Sequence, residues 1–340
     1  MNQSTPHALS PSLHRAGIAS AMAVIDNRVA LALNLFAAGR RGEALLALNQ
    51  LAATEHGEAV RILGELRWGG EVDPDPAAGR RLFERAAHAG DATAQFYVTN
   101  LLASGIAGRR DWALAIERLR GEAVRDPLRK TALELVERMR LDGSGDPVGL
   151  RMGEQISKSP NIVWNQALFT SAECAYVLKL AEPSFAPSTV YDSQRRLVRD
   201  PIRSSDGSTL HWLIEDPAIH ALNRRLAAVS ATAADQGEAA QVLRYKPGQQ
   251  YRPHFDFVRA APNQRVLTAL VWLGHDYKGG ETAFIKGGLK LKGRRGDAII
   301  FRNAMHDGSI DPLTEHAGLA VTAGTKYIYS RWIRERRWQP

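Results

Sequence analysis

From residue 241 onward the chain breaks into short runs of β-branched and aromatic residues separated by glycine, proline and polar turns. Eight such runs read as strands: 241–245, 251–258, 266–273, 282–285, 289–291, 297–301, 319–321 and 326–333. Two segments with helical spacing, 171–180 and 217–229, precede them. So many short strands after a pair of helices predict a jelly roll, a double-stranded β-helix with flanking helices, whose inner faces converge at one mouth.

The first 140 residues carry a different pattern, rich in alanine and leucine and nearly free of strand-like runs. Residues 59–70 align with 94–105 at a shift of 35, and a looser copy covers 132–143. Between the copies, 77–89 and 112–123 have helical apolar spacing. Two helices per period of 35 residues predict a helical solenoid, in which each unit buries its apolar face against its neighbours. The run Leu82-Phe83-Glu84-Arg85-Ala86-Ala87-His88-Ala89-Gly90-Asp91-Ala92 resembles the Sel-one-like, tetratricopeptide-related repeats, which implies docking of a protein partner or dimerisation. The chain thus reads as two domains: a disordered start over 1–20, an α-helical repeat domain over 21–145 and a β-rich domain over 150–340. The glycine-rich stretch 141–149 reads as the linker or helix-ending turn between them.

The β-rich half holds four residues whose chemistries fit together. In Tyr251-Arg252-Pro253-His254-Phe255-Asp256-Phe257, alternation along a strand turns His254 and Asp256 to one face. His316 follows His254 by 62 residues, just before the apolar run Leu319-Ala320-Val321. Two imidazoles and one carboxylate make a facial triad for a non-heme ferrous ion, with coordination positions left open. Lys326 comes ten residues after His316. Period two puts Lys326, Ile328, Ser330 and Trp332 on one face, and Tyr327, Tyr329 and Arg331 on the other. A lysine sharing a face with isoleucine and tryptophan is expected to be buried, and a buried ammonium needs an anion beside it. The distal carboxylate of 2-oxoglutarate is a suitable one.

Around these four lie Leu243-Arg244-Tyr245, Pro247-Gly248-Gln249-Gln250-Tyr251, Gly279-Gly280-Glu281-Thr282-Ala283-Phe284, Gly296-Asp297-Ala298-Ile299-Ile300-Phe301 and Gly324-Thr325-Lys326. With these motifs, residues 161–332 resemble the prolyl 4-hydroxylase branch of the 2-oxoglutarate- and iron-dependent dioxygenases. The resemblance implies that His254, Asp256 and His316 ligate Fe(II), and that Lys326 pairs with 2-oxoglutarate. It implies that Tyr245 hydrogen-bonds the same carboxylate and that Thr282 assists. It assigns Trp332 to the peptide side, with Tyr251 and Arg203 as further substrate contacts, and places 188–209 as a mobile loop over the mouth.

The reaction implied is hydroxylation of a proline in a protein or peptide by dioxygen. In it 2-oxoglutarate is decarboxylated to succinate and carbon dioxide, with ascorbate as reductant. Hydroxylation of another side chain or of a small molecule stays open, as does a repeat scaffold whose oxygenase half only senses iron or 2-oxoglutarate. Halogenation is disfavoured, because the related halogenases lack the carboxylate that Asp256 supplies.

Other classes find little support. No His-Glu-x-x-His helix occurs, and the single cysteine, Cys174, builds neither a thiolate-rich zinc site nor an internal disulfide. A reducing, cytoplasmic compartment is the expectation. No apolar run reaches membrane-spanning length and the first residues lack a secretory signal pattern, so no membrane association is expected. The net charge is +8, but no nucleic-acid motif accompanies the scattered arginines, so a solvated basic face is expected rather than nucleic-acid binding.

Overall fold

The computed structural model describes residues 25–191, 197–200 and 202–338. The start expected to be disordered, 1–20, lies outside them, as does the centre of the arginine-rich stretch 188–209.

Seven helices come first: α1 (Asn27–Ala37), α2 (Arg41–Ala53), α3 (Gly57–Trp68), α4 (Pro76–His88), α5 (Ala92–Ser104), α6 (Trp112–Ala123) and α7 (Pro127–Arg138), each packed on the next. Except at Arg41–Ala53, their starts are set by side chains that accept otherwise orphaned backbone N–H groups. His56, Asp91 and Asp126 cap α3, α5 and α7 at intervals of 35 residues, and Asp75 and Asp111 cap α4 and α6. α3 and α4 cross through glycines: a Cβ on Gly64 would stand 2.7 Å from the Phe83 ring, and one on Gly79 3.0 Å from the Gly64 carbonyl. Among the described residues no helix is long and apolar enough to cross a membrane.

The stretch 141–149 is a packed turn. Leu141 and Pro147 form a β-bridge, and the Asp142 carboxylate accepts the N–H groups of Ser144 and Asp146. Asp146 pairs with Arg224 of α9 (Pro217–Val229). Gly145, at φ +76°, lies so close to Trp112 that any Cβ would enter the indole ring.

Beyond the turn, α8 (Ser171–Ala181) and α9 lie against one face of an eight-stranded sheet. In spatial order its strands are Glu154–Lys158, Asn161–Asn165, Ala298–Arg302, Arg265–Trp272, Lys326–Arg334, Ala240–Tyr245, Asp206–Leu210 and Ala186–Pro187, every pair antiparallel. A four-stranded antiparallel sheet, Leu289–Leu291, Thr282–Phe284, His316–Gly318 and Tyr251–His254, packs on the opposite face. Leu243, Leu270, Trp272, Phe301 and Ile328 of the large sheet meet Phe284 of the small one in this inner core.

The outer core does not stop at α8 and α9. Leu119 and Leu135 of the helical half join Tyr176, Leu222, Leu226, Val271, Ile300 and Tyr329 in one cluster. α9 is buried almost all round, which for a helix means cover on every side. α5 and α7 supply part of that cover, and Asn100 Nδ2 donates to the Leu213 carbonyl at 2.7 Å.

Three strand expectations change. The stretch 188–209 is not all loop, because Asp206–Leu210 enters the large sheet and Thr189–Tyr191 pairs with Leu197–Arg199. Polar Asp-Gly-Ser-Thr-Leu hides a strand from a hydrophobic pattern, and here the Arg244 guanidinium meets the Asp206 carboxylate at 3.0 Å across the pair. The run 319–321 is not a strand: residues 319 and 320 lie between His316–Gly318 and Val321–Gly324, which belong to different sheets. The strand expected over 251–258 ends at His254.

Candidate active site

His254 closes the edge strand of the small sheet and His316 opens its neighbour, and the two are register partners. Asp256 lies beyond the end of its strand, so alternation does not aim it. A turn does, together with the Thr268 hydroxyl, which donates to Asp256 Oδ2 at 2.7 Å. Asp256 Oδ1 stands 3.7 Å from His254 Nε2 and Oδ2 stands 3.6 Å from His316 Nε2. One ligand atom from each of the three residues lies within 4.8 Å of the others.

The donor set suits a divalent cation. His254 Nδ1 donates to the Arg252 carbonyl at 2.8 Å and His316 Nδ1 to the Thr314 carbonyl at 2.9 Å. With Nδ1 protonated, each Nε2 presents a lone pair to the centre. Burial, and His316 beside it, push His254 down to about 3, so its imidazole is neutral at ordinary pH. Burial works against ionising Asp256, but His316, His254 and the Thr268 hydroxyl outweigh it and hold the carboxyl below its usual value. Phe301 meets His316 edge-on with ring centroids 4.9 Å apart.

Lys326 occupies the inner face, as alternation predicts, and is 2% exposed. It is the register partner of Tyr245, and its ammonium stands 5.3 Å from the Tyr245 ring centre. Among the described residues no carboxylate pairs with it and no hydrogen bond is made to it, and burial lowers it to about 7. Glycines keep the space around it open: a Cβ on Gly280 would come within 3.3 Å of Lys326 Cδ, and one on Gly318 within 3.9 Å of Nζ. Thr282, buried, is the register partner of Gly318. Lys326 and Tyr245 are thus neighbours on adjacent strands, and Gly318, beside the Lys326 ammonium, links them to Thr282 on the small sheet.

The three expected substrate contacts divide. Tyr251 stacks flat on His254, ring centroids 3.4 Å apart, and Arg203 lies over the other side of Tyr251 at 5.4 Å. Both are half-buried at the triad. Trp332 is 8% exposed and covered by the Arg265 guanidinium at 3.9 Å, which Glu238 holds through two hydrogen bonds. The run Arg265 to Leu273 is part of the resemblance, but sequence reasoning gave no role to Arg265 or Thr268 and did not single out Glu238. The only signal for Thr268 is a hydroxyl amid Val-Leu-Thr-Ala-Leu-Val-Trp, a position where threonine suits any strand.

Residues 240–334 match the 2OG-Fe(II) oxygenase superfamily. Prolyl 4-hydroxylase 1 of Arabidopsis thaliana is 35% identical over 211 residues, which cover 55% of this chain and 75% of that protein. Probable prolyl 4-hydroxylase 10 of the same plant is 32% identical over 217 residues, 56% of this chain and 75% of its own. A solved structure, the viral collagen prolyl hydroxylase of Paramecium Bursaria Chlorella virus-1 in its 2-oxoglutarate complex, aligns over 51% of this chain and 95% of its own at 26% identity and a TM-score of 0.39. The chain belongs to the 2-oxoglutarate- and iron(II)-dependent oxygenases of prolyl 4-hydroxylase type.

Proposed function

We propose that this protein hydroxylates a proline in a protein or peptide, with 2-oxoglutarate as cosubstrate. The observation that carries the reading is the buried ammonium of Lys326, with no carboxylate paired to it among the described residues, in the same half of the chain as a cluster of two histidines and one carboxylate. His254 Nε2, His316 Nε2 and Asp256 would hold Fe(II), and Lys326, with Tyr245 and Thr282 beside it, would take the distal carboxylate of 2-oxoglutarate. Iron bound there, with dioxygen, supplies the oxidation that turns 2-oxoglutarate into succinate and carbon dioxide and hydroxylates the acceptor carbon.

The residues of the chain position and shield. The Arg252 and Thr314 carbonyls fix the imidazole planes, and Phe284 and Phe301 keep water from the back of His316. Tyr251 and Arg203 wall the approach to His254, where an acceptor would lie. The proline acceptor is supported by the relatives named prolyl 4-hydroxylases.

We further infer that the seven helices form a repeat array that docks the substrate protein. The 35-residue recurrence of the capping side chains supports this. Ascorbate as reductant and a cytoplasmic location complete the reading.

The test is turnover of 2-oxoglutarate to succinate with ferrous iron and ascorbate, with and without a proline-rich peptide. A peptide-dependent rise, with a mass gain of one oxygen on proline, is the expected result. Turnover with no oxygen on the peptide would move the acceptor elsewhere, and no turnover at all would refute the oxygenase reading.

A further inference from the structure

Thr268 interrupts an apolar strand on its buried inner face and is completely inaccessible to solvent. A hydroxyl in such a place needs partners. It has two: Asp256 Oδ2 at 2.7 Å and Asn303 Nδ2 at 2.9 Å, with Asn303 itself 1% exposed. The direction of these bonds follows from proton count. A carboxylate only accepts, so the single hydroxyl proton of Thr268 goes to Asp256 and its lone pair takes a proton from the Asn303 amide. Turning the amide round would set two acceptors against one proton. Asn303 makes this bond at a cost, since its Oδ1 is buried with no partner among the described residues. Packing alone would be served as well by leucine.

The relay engages one carboxylate oxygen. Oδ2, 3.6 Å from His316 Nε2, already accepts from Thr268, whereas Oδ1, 3.7 Å from His254 Nε2, accepts no hydrogen bond among the described residues and is the oxygen better placed to meet a cation. We propose that Thr268 and Asn303 are positioning residues that make Asp256 a one-oxygen ligand, keeping the remaining coordination positions open for cosubstrate and dioxygen. The proposal rests on the metal-site reading above. Without the hydroxyl, the carboxylate can turn both oxygens inward and close one of those positions.

The test uses the full-length protein, freed of metal and titrated with Mn(II). Free Mn(II) is followed by electron paramagnetic resonance, and exchangeable waters on the bound ion are counted by proton relaxation. Thr268→Val should weaken Mn(II) binding by about 10- to 100-fold and reduce the number of exchangeable waters. Thr268→Ser should restore both. Asn303→Leu should weaken binding in the parent but add nothing in the Thr268→Val background, because the two act through one bond chain. The melting temperature of each metal-free variant separates these effects from misfolding.

Parent-like affinity and water count in a folded Thr268→Val protein would overturn the proposal. So would an Asn303→Leu effect of equal size in both backgrounds. Should Thr268→Val fail to fold, Asn303→Leu decides alone: fewer waters supports the relay and an unchanged count overturns it. A folded parent that binds no Mn(II) would bring down the metal site itself, and the relay with it, a result distinct from the others.

Discussion

Replacing Lys326 with methionine, apolar and of similar length, should trade ligand affinity for stability. Burial takes the ammonium from 10.5 to about 7. At about 1.4 kcal/mol for each tenfold change in proton affinity, keeping it charged in that pocket costs about 5 kcal/mol. The sign with pH follows. Between about 7 and 10.5 the unfolded chain holds a proton that the folded chain has released, so stability of the ligand-free protein rises with pH through that window. Below about 7 both states hold the proton and the whole cost stands. Lys326→Met should therefore melt higher than the parent near neutrality, with the gap shrinking by about 1.4 kcal/mol for each pH step above it.

2-Oxoglutarate supplies the missing anion. Its affinity should be greatest below about pH 7 and fall by up to tenfold per pH step above. Truncating one partner of a buried charge pair costs about 2–5 kcal/mol, so the variant should bind 2-oxoglutarate about 30- to 5,000-fold more weakly. The assay is calorimetric titration of 2-oxoglutarate into Mn(II)-loaded protein on either side of neutrality, paired with thermal denaturation of the metal-free forms. A variant that binds 2-oxoglutarate like the parent, or that melts below it near neutrality, would refute the reasoning.

Two further predictions follow from burial. His254 is held at about 3 against 6.5 when free, so between those values the unfolded chain takes up a proton the folded chain refuses; metal-free stability should fall with acid by about 1.4 kcal/mol per pH step. His254→Phe should flatten that slope in thermal melts and abolish Mn(II) binding, and an unchanged slope would count against a neutral buried imidazole. Deleting the residues before Leu141 should strip α5 and α7 from α9 and yield an aggregating chain without turnover, because Leu222 and Leu226 belong to the core those helices help to close. A soluble truncated form that decarboxylates 2-oxoglutarate normally would show that α9 tolerates exposure.

What could be read from the sequence was whatever depends on a residue's own chain neighbours. The helix α9 emerged at its observed bounds because capping, helical spacing and composition are local. The 35-residue period was visible for the same reason, and it reappears in the caps His56, Asp91 and Asp126. The inward aim of Lys326 follows from strand alternation alone, and the chemistry of two histidines, a carboxylate and a lysine limits what such a set can do. Tertiary structure decided the rest, where the partner is far along the chain. The strand Asp206–Leu210 exists because its polar residues find Arg244 and a neighbour 30-odd positions away. Trp332 is covered because Arg265 folds over it, and Asp256 is aimed by Thr268 and, behind that, by Asn303. The helical half and the sheet share one core because α9 is buried on nearly every side, its apolar residues in that core and its buried Arg224 paired with Asp146. Local pattern sets backbone conformation and facing, whereas burial and hydrogen-bond partners depend on which distant surfaces meet. Only the folded chain brings those surfaces together.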